Sequence, residues 1–260
     1  SLARNLARNG FKIALFNRHL AGVEEGVATN FKNHFPELKE AEAFDEIAAF
    51  VNALETPRKI MLMVNAGPIV DRVIEDLLPF LVKGDIIIDG GNSNYKDSKR
   101  RLDYLNTQQI QFIGAGVSGG EEGALTGPSI MPSGSKEAYQ AIQPYLETIA
   151  AKGEGGKPCC SYIGEEGSGH FVKMVHNGIE YGMMGALAEG MNILHEHEDG
   201  LSIDTDQALK AYEHGSIISS SLTSWLADAY KKPGYLEGIA GQVPRGETEM
   251  EMEYIVNHNH

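Results

Sequence analysis

Asp85-Ile-Ile-Ile-Asp89, running into Gly90-Gly-Asn-Ser-Asn94, is the stretch that decides the fold. Three consecutive isoleucines leave neither face of a strand polar, so the segment reads as a strand buried on both sides, and the glycine-rich run after it as its end. Three other stretches repeat the arrangement. Lys12-Ile-Ala-Leu-Phe16 ends in Asn17-Arg18-His19, Lys59-Ile-Met-Leu-Met-Val64 in Asn65-Ala-Gly-Pro68, and Ile110-Gln-Phe-Ile-Gly-Ala115 in Gly116-Val-Ser-Gly-Gly120. Between them lie helical compositions: from about residue 20, over 41–54, over 69–82 with a late break at Pro79, and over 97–106. Strands apolar on both faces that alternate with helices predict a parallel sheet covered on two sides. Ligands of such sheets bind beyond the carboxyl ends of the strands. Every strand here runs out into Gly, Asn, Ser or Arg at that end, as a site there requires, although each taken singly is no more than a tight turn.

Outward from this core, residues 2–9 read as a helix stopped by Gly10, 129–133 as a further short strand, 136–152 as a helix, and Cys160-Ser-Tyr-Ile163 as a last strand. Gly153-Glu-Gly-Gly156 reads as a flexible link. Beyond Gly164 the pattern changes to helices only, over 167–197, 203–214 and 217–230, followed by a polar segment over 241–260. The expected architecture is an α/β domain over 1–164 and an all-α domain over 165–260. Both ends read as cut, since the chain opens at Ser1 inside a helical pattern.

A formal charge of −14, from 36 acidic against 22 basic residues, argues against nucleic acid and anionic membrane as primary partners, while leaving room for a local basic pocket. A hydrophobic content of 42% supports a real core. There is no run of 18 apolar residues and no basic-then-apolar leader pattern. Two adjacent cysteines, Cys159 and Cys160, make no disulfide framework, so a reducing, cytoplasmic setting is the simple reading.

Gly167-Ser-Gly-His-Phe-Val-Lys-Met-Val-His-Asn-Gly-Ile-Glu-Tyr181 carries the chemistry. Ser168 reads as an N-cap. With Lys173 at zero on a helical wheel, His170, His176, Asn177, Glu180 and Tyr181 fall within roughly 140 degrees, and Phe171, Val172, Met174, Val175 and Ile179 fall opposite. An ordinary amphipathic helix with a solvated polar face accounts for the period. It does not account for the mix of amine, carboxylate, imidazole, amide and phenol, since solvated faces are mostly Glu, Lys, Gln and Ala. Lys173 and Glu180 stand about two turns apart, ~10 Å along the axis, which suits two groups acting on opposite ends of a small ligand.

Asp89-Gly-Gly-Asn-Ser-Asn-Tyr95, Gly114-Ala-Gly-Val-Ser-Gly-Gly-Glu-Glu-Gly-Ala124 running into Gly127-Pro-Ser-Ile-Met-Pro132, and the helix from His170 onward together resemble the 6-phosphogluconate dehydrogenases of the β-hydroxyacid dehydrogenase superfamily. The resemblance implies a Rossmann-like dinucleotide-binding domain followed by a helical substrate and dimerisation domain, and a homodimer. It implies oxidation of a 3-hydroxy acid by a nicotinamide, loss of carbon dioxide from the 3-keto acid, and protonation of the enediol to ribulose 5-phosphate, with no metal. Lys173 would take the hydroxyl proton and return it to the carbonyl, for which its pKa should be lowered in the site. Glu180 would protonate the enediol carbon. Asn92, Ser118, Gly119, Gly120, His176 and Asn177 would hold the carboxylate and hydroxyls, and Tyr181 the phosphate. Asn17 and Arg18 end the strand where dinucleotide folds choose their cofactor. An arginine there pairs with a 2′-phosphate, so NADP is favoured, with NAD possible. Val64, Ala66, Gly67 and Asn92 would lie against the cofactor.

Two departures accompany the resemblance. The family's first strand and glycine-rich dinucleotide loop are missing ahead of Ser1. The Lys-Gly-Thr-Gly-Lys-Trp stretch of the long forms is replaced by Pro244-Arg-Gly-Glu-Thr-Glu-Met250, where Arg245 stands for the lysine and Glu247 and Glu249 are poor neighbours for a phosphate. Gly215-Ser-Ile-Ile-Ser-Ser220 resembles the shorter subgroup of the family. The alternatives are a sister dehydrogenase that does not decarboxylate and a non-catalytic homologue that binds a nucleotide or sugar phosphate.

Overall fold

Ile86, Ile87 and Ile88 are all buried, as the isoleucine run demands of a strand covered on both faces. The computed structural model describes residues 1–196, 200–234, 238 and 257. Its contacts divide the chain into two units, Ser1–Lys173 and Met174–His260.

The first unit runs α1 (Leu2–Arg8), β1 (Ala14–Phe16), α2 (Val27–His34), β2 (Glu42–Phe44), α3 (Ile47–Asn52), β3 (Lys59–Leu62), α4 (Pro68–Leu77), β4 (Ile86–Asp89), α5 (Tyr95–Thr107), β5 (Gln111–Ser118), α6 (Gly120–Thr126), β6 (Ser129–Gly134) and α7 (Lys136–Ile149). Strands β3, β4 and β5 are parallel neighbours in register, with Leu62 opposite Asp89 and Asp89 opposite Gly114. Strand β1 pairs in parallel with β2 in a separate two-stranded sheet, and residues of β1 and β3 line one groove between the two sheets. Alternate residues of the sheet feed two cores. Ile86, Ile88 and Ile113 pack with Leu2 of α1 and with Ile142 and Leu146 of α7. Ile87 and Phe112 pack with Val51 of α3, Ile74 of α4 and Leu105 of α5. This is the two-sided parallel sheet expected from the strand pattern, a Rossmann-like domain, and helices follow it.

Several expectations are corrected. The stretch 41–54 is not one helix: Glu42–Phe44 forms strand β2, because the free edge of β1 outweighs a weak helical composition. The segment from residue 20 begins as a turn closed by Leu20 N–H on Glu24 O, and α2 starts only after Gly26, which holds φ 59°. Strand β6 is antiparallel to β5, with Ile113 opposite Gly134. Its connection through residues 119–128 is too short for a parallel crossover, which needs a dozen residues or more. Strand β5 itself extends to Ser118, so 116–118 is strand rather than turn. Residues 160–163 lie along β6 but pair only at isolated bridges, Ile130 with Cys160 and Ser133 with Gly164. Pro132 between them has no N–H to continue the ladder.

Helix α8 (Ser168–Glu196) crosses from the first unit into the second. The second unit continues with α9 (Thr205–Glu213) and α10 (Ser221–Tyr230), joined by a small core of Met191, Leu209 and Ala227. Arg245 and the whole 244–250 stretch lie outside the described residues. Among the described residues, no helix is long and apolar enough to cross a membrane, and no group of three or more His, Cys, Asp or Glu is arranged to hold a metal ion.

Candidate active site

The turns after β3 and β4 meet backbone to backbone. A Cβ on Gly91 would lie 2.9 Å from Val64 O, and one on Gly90 would lie 2.7 Å from Met63 Sδ. The backbone approach at Gly91 requires glycine, whereas Gly90 faces the movable ends of the Met63 and Met61 side chains. Asn92 itself is exposed, at the tip of the loop. Ala66 lies in the same turn as Val64, and Gly67 closes it as the N-cap of α4 at φ 93°, with open space where a side chain would stand.

A buried polar cluster lies under these turns. The Asp89 carboxylate, at the end of β4, accepts the Gly91 N–H at 3.2 Å and the Ser93 hydroxyl at 2.6 Å, closing loop 90–94 on itself. Arg101 of α5, 1% exposed, donates to Asp89 Oδ2, Ser93 Oγ, Gly67 O and both oxygens of Asp71. Helix α5 is rich in charge, yet it buries Ser98, Arg101 and Leu105 along one stripe.

The start of α8 seats against β5 and β6 through Gly169, and Gly167 just before it packs on the start of α5. A Cβ on Gly169 would fall 2.1 Å from Met131 O, and one on Gly167 would fall 2.1 Å from Tyr95 O. Ser168 is not the cap. The helix begins at Ser168, and the Gly167 carbonyl accepts the Phe171 N–H at 3.1 Å. Two turns of contact bring Lys173 against β5, where a Cβ on Gly116 would lie 2.4 Å from Lys173 Cβ. Lys173 is 7% exposed. Ser118 ends the same strand, and Gly119 (φ 133°) and Gly120 (φ 61°) turn the chain into α6. His170 is buried, with Nδ1 2.6 Å from Ser98 Oγ. Burial pushes its pKa down, against the opposing pull of the Asp89 carboxylate.

The wheel identifies the two faces of α8 but not which one is covered. His170, Lys173, Met174 and Asn177 are buried, while Phe171, Val175 and Ile179 are exposed. The buried side is mainly polar at the start of the helix, with Met174 the apolar exception, while His176 and Glu180 are half-buried. Farther along α8, in the second unit, His176 Nδ1 stands 3.6 Å from Glu180 Oε2, an ion pair when the imidazole is protonated, and 3.5 Å from Asn177 Oδ1. Tyr181 is exposed.

Asn17 and Arg18 stand after β1 in the two-stranded sheet. Sequence reasoning missed Glu24, whose carboxylate takes Arg18 Nε at 3.0 Å and also Asn17 Nδ2 at 3.4 Å. That hydrogen bond raises the pKa of Arg18 and lowers that of Glu24. The structure thus brings Val64, Ala66, Gly67 and the Asn92 loop together at the ends of β3 and β4. It sets Ser118, Gly119, Gly120 and Lys173 at β5, and carries His176, Asn177, Glu180 and Tyr181 onward on α8.

Residues 1–164 match the family described as the NAD binding domain of 6-phosphogluconate dehydrogenase, and residues 169–201 match that enzyme's C-terminal domain. The chain is 48% identical over 228 residues to "6-phosphogluconate dehydrogenase, decarboxylating" of Haemophilus influenzae, covering 88% of this chain and 46% of that protein. A Plasmodium falciparum 6-phosphogluconate dehydrogenase, solved in its apo form, with its cofactor NADP+ and with its substrate 6-phosphogluconate, superposes with a TM-score of 0.87 at 33% identity, covering 98% of this chain and 55% of that one. A Mycobacterium tuberculosis 3-hydroxyisobutyrate dehydrogenase shares the fold, with a TM-score of 0.67 at 18% identity over 99% of this chain and 90% of that one. The chain spans about half the length of the curated relatives it matches. With its sheet domain matched from end to end and the start of its helical part matched beside it, the chain belongs to the 6-phosphogluconate dehydrogenase family.

Proposed function

We propose that this chain carries the cofactor domain and catalytic helix of an NADP-dependent, decarboxylating 6-phosphogluconate dehydrogenase, with a dinucleotide-binding domain over 1–164 and a substrate and dimerisation domain over 165–260. The observation that carries the reading is the burial of Lys173, a residue only 7% exposed, on a helix that leaves Phe171, Val175 and Ile179 exposed. Burying an amine is unfavourable, and catalysis is a reason to retain it.

The residues fit the cofactor. The Arg18 side chain is 60% exposed and stands beside Asn17, so it can pair with a 2′-phosphate. Gly67 leaves open space over the backbone at the start of α4, where a dinucleotide can approach. Val64, Ala66 and Asn92 flank that opening. When bound, NADP accepts the hydride from the hydroxyl-bearing carbon. Lys173 takes the hydroxyl proton as the hydride leaves, then returns it to the carbonyl oxygen, so that the ketone can accept the electron pair of the breaking C–C bond. Glu180, two turns on, gives its proton to the enediol carbon. Asn92, Ser118, Gly119, Gly120, His176 and Asn177 hold the carboxylate and hydroxyls, and Tyr181 contacts the phosphate. The free thiols of Cys159 and Cys160 suit a cytoplasmic setting.

The test is NADPH formation from 6-phosphogluconate by the full protein that carries this chain, with NAD and unphosphorylated gluconate run in parallel. Turnover that requires both phosphates, and that falls by about 10² or more in Glu180→Gln, is expected. Oxidation with undiminished turnover in Glu180→Gln would remove the decarboxylation step from the reading. No turnover with any pair would remove the activity.

A further inference from the structure

We propose that Arg101 is a positioning residue that holds the cofactor-side turn after β3 and the substrate-side loop after β4 in one fixed relation. For its catalytic consequence, the assignment rests on the activity proposed above. A guanidinium has five N–H donors in a rigid plane. All five are engaged here. Nε meets Asp71 Oδ1 at 2.8 Å, Nη2 meets Gly67 O at 2.9 Å and Asp71 Oδ2 at 3.3 Å, and Nη1 meets Ser93 Oγ at 3.1 Å and Asp89 Oδ2 at 3.3 Å. One side chain thereby grips the cap and first turn of α4 on one side and the closed 90–94 loop on the other.

Stability alone is a poor reason for such a group. A buried ion pair repays its desolvation only in part, and apolar replacements are often as stable. What this group supplies is register. Gly67 is the residue that opens its backbone toward the cofactor, and loop 90–94 carries Asn92 at its tip. The Gly90 N–H on Leu62 O ties the root of the loop to β3, and Asp89 closes the loop, but neither reaches Gly67. Among the described residues, Arg101 is a side chain that bonds both Gly67 and loop 90–94. A lysine, with three donors on a point charge, cannot satisfy the same set. The same face of α5 holds the start of α8 one turn earlier, through Ser98 and His170.

The experiment is amide hydrogen exchange on the ligand-free full protein, wild type against Arg101→Lys, with steady-state kinetics alongside. Faster exchange is expected in residues 64–68 and 90–94 together, with β4 and β5 unchanged. In kinetics, KM should rise for both NADP and 6-phosphogluconate, and kcat/KM should fall about 10²-fold, the effect of misplacement by about 1 Å. Exchange that rises throughout the sheet would make Arg101 merely structural, and unchanged loops would overturn the proposal outright. Asp71→Ala provides the second variant should Arg101→Lys not fold. Asp71 meets Arg101 and the exposed Arg100 of α5 but has no bond to loop 90–94, so faster exchange in that loop with α5 unchanged is expected if Arg101 relays the change. An unchanged loop in Asp71→Ala also overturns the proposal. If the wild type fails to turn over 6-phosphogluconate, the activity falls, while the exchange results still decide Arg101.

Discussion

Glu24 and His170 show how much a single side chain decides here. Glu24 pairs with Arg18, the arginine proposed to meet a 2′-phosphate, and shares its carboxylate with Asn17. The pair is exposed, so it is exchangeable: a phosphate can displace the carboxylate at small cost. Glu24→Gln is therefore expected to tighten NADP binding a few-fold, to leave NAD binding unchanged, and to make NADP affinity less dependent on salt. Titration of cofactor fluorescence would measure this, and unchanged NADP affinity would mean that Arg18 does not meet the phosphate. His170 acts on stability. Its folded pKa is depressed by burial, so the unfolded chain takes the proton first. Its contribution is complete above about pH 6.5, the unfolded value, and is lost as pH falls from there toward the folded value, at up to about 1.4 kcal/mol per pH unit. Urea midpoints between pH 7.5 and 5 (values chosen to bracket that window, about pH 6.5) should fall less steeply in His170→Asn than in the wild type. Equal slopes would place the acid sensitivity elsewhere.

At the scale of the element, the close approach of α8 to β5 is the feature to perturb. Gly116→Ala puts a methyl 2.4 Å from Lys173 Cβ, so strand and helix must separate. Overpacking of this kind costs about 1–3 kcal/mol, and moving Lys173 by a fraction of its length should lower kcat about 10²-fold. A thermal melt and an NADPH assay on the same preparation measure both, and wild-type kcat in the variant would deny Lys173 its role. The same elements show what a sequence discloses. The Ile86–Ile88 run announces a doubly covered strand because burial on both faces does not depend on which neighbour pairs. Gly91, Gly167 and Gly169 are visible for a similar reason: close backbone approach leaves a residue type behind. Strand β2 is hidden, since three residues of Glu, Ala and Phe have no period to read and form a strand only beside β1. The direction of β6 was hidden as well, since it follows from the ten residues left between the strands only once β5 is known to reach Ser118. Arg101 was hidden too, because a charge within a charged helix looks solvated until its five acceptors converge from two other stretches of chain, 67–71 and 89–93.

At the scale of the whole molecule, the exposed apolar face of α8 asks for a partner. Phe171, Val175, Ile179 and Met183 follow one another at four-residue spacing and are 40%, 39%, 61% and 42% exposed. Beside the buried Lys173 and Asn177, this stripe of exposed apolar side chains is the kind of surface that marks an interaction site. A second copy of the chain is the occupant proposed for it, in keeping with the homodimer implied by the family resemblance. Charge works against that association. A formal −14 per chain repels its copy at long range, and apolar contact must outweigh the repulsion. Two consequences separate this reading from adventitious stickiness. The full protein should sediment as a dimer at micromolar concentration, and raising ionic strength above about 0.1 M, where the Debye length is about 10 Å, should strengthen the dimer rather than dissolve it. Ile179→Glu, which sets a carboxylate in the centre of the stripe beside its own copy, should shift the protein to monomer with its circular dichroism unchanged. A wild type that sediments as a monomer, or a dimer indifferent to Ile179→Glu, would leave the stripe without the partner assigned to it.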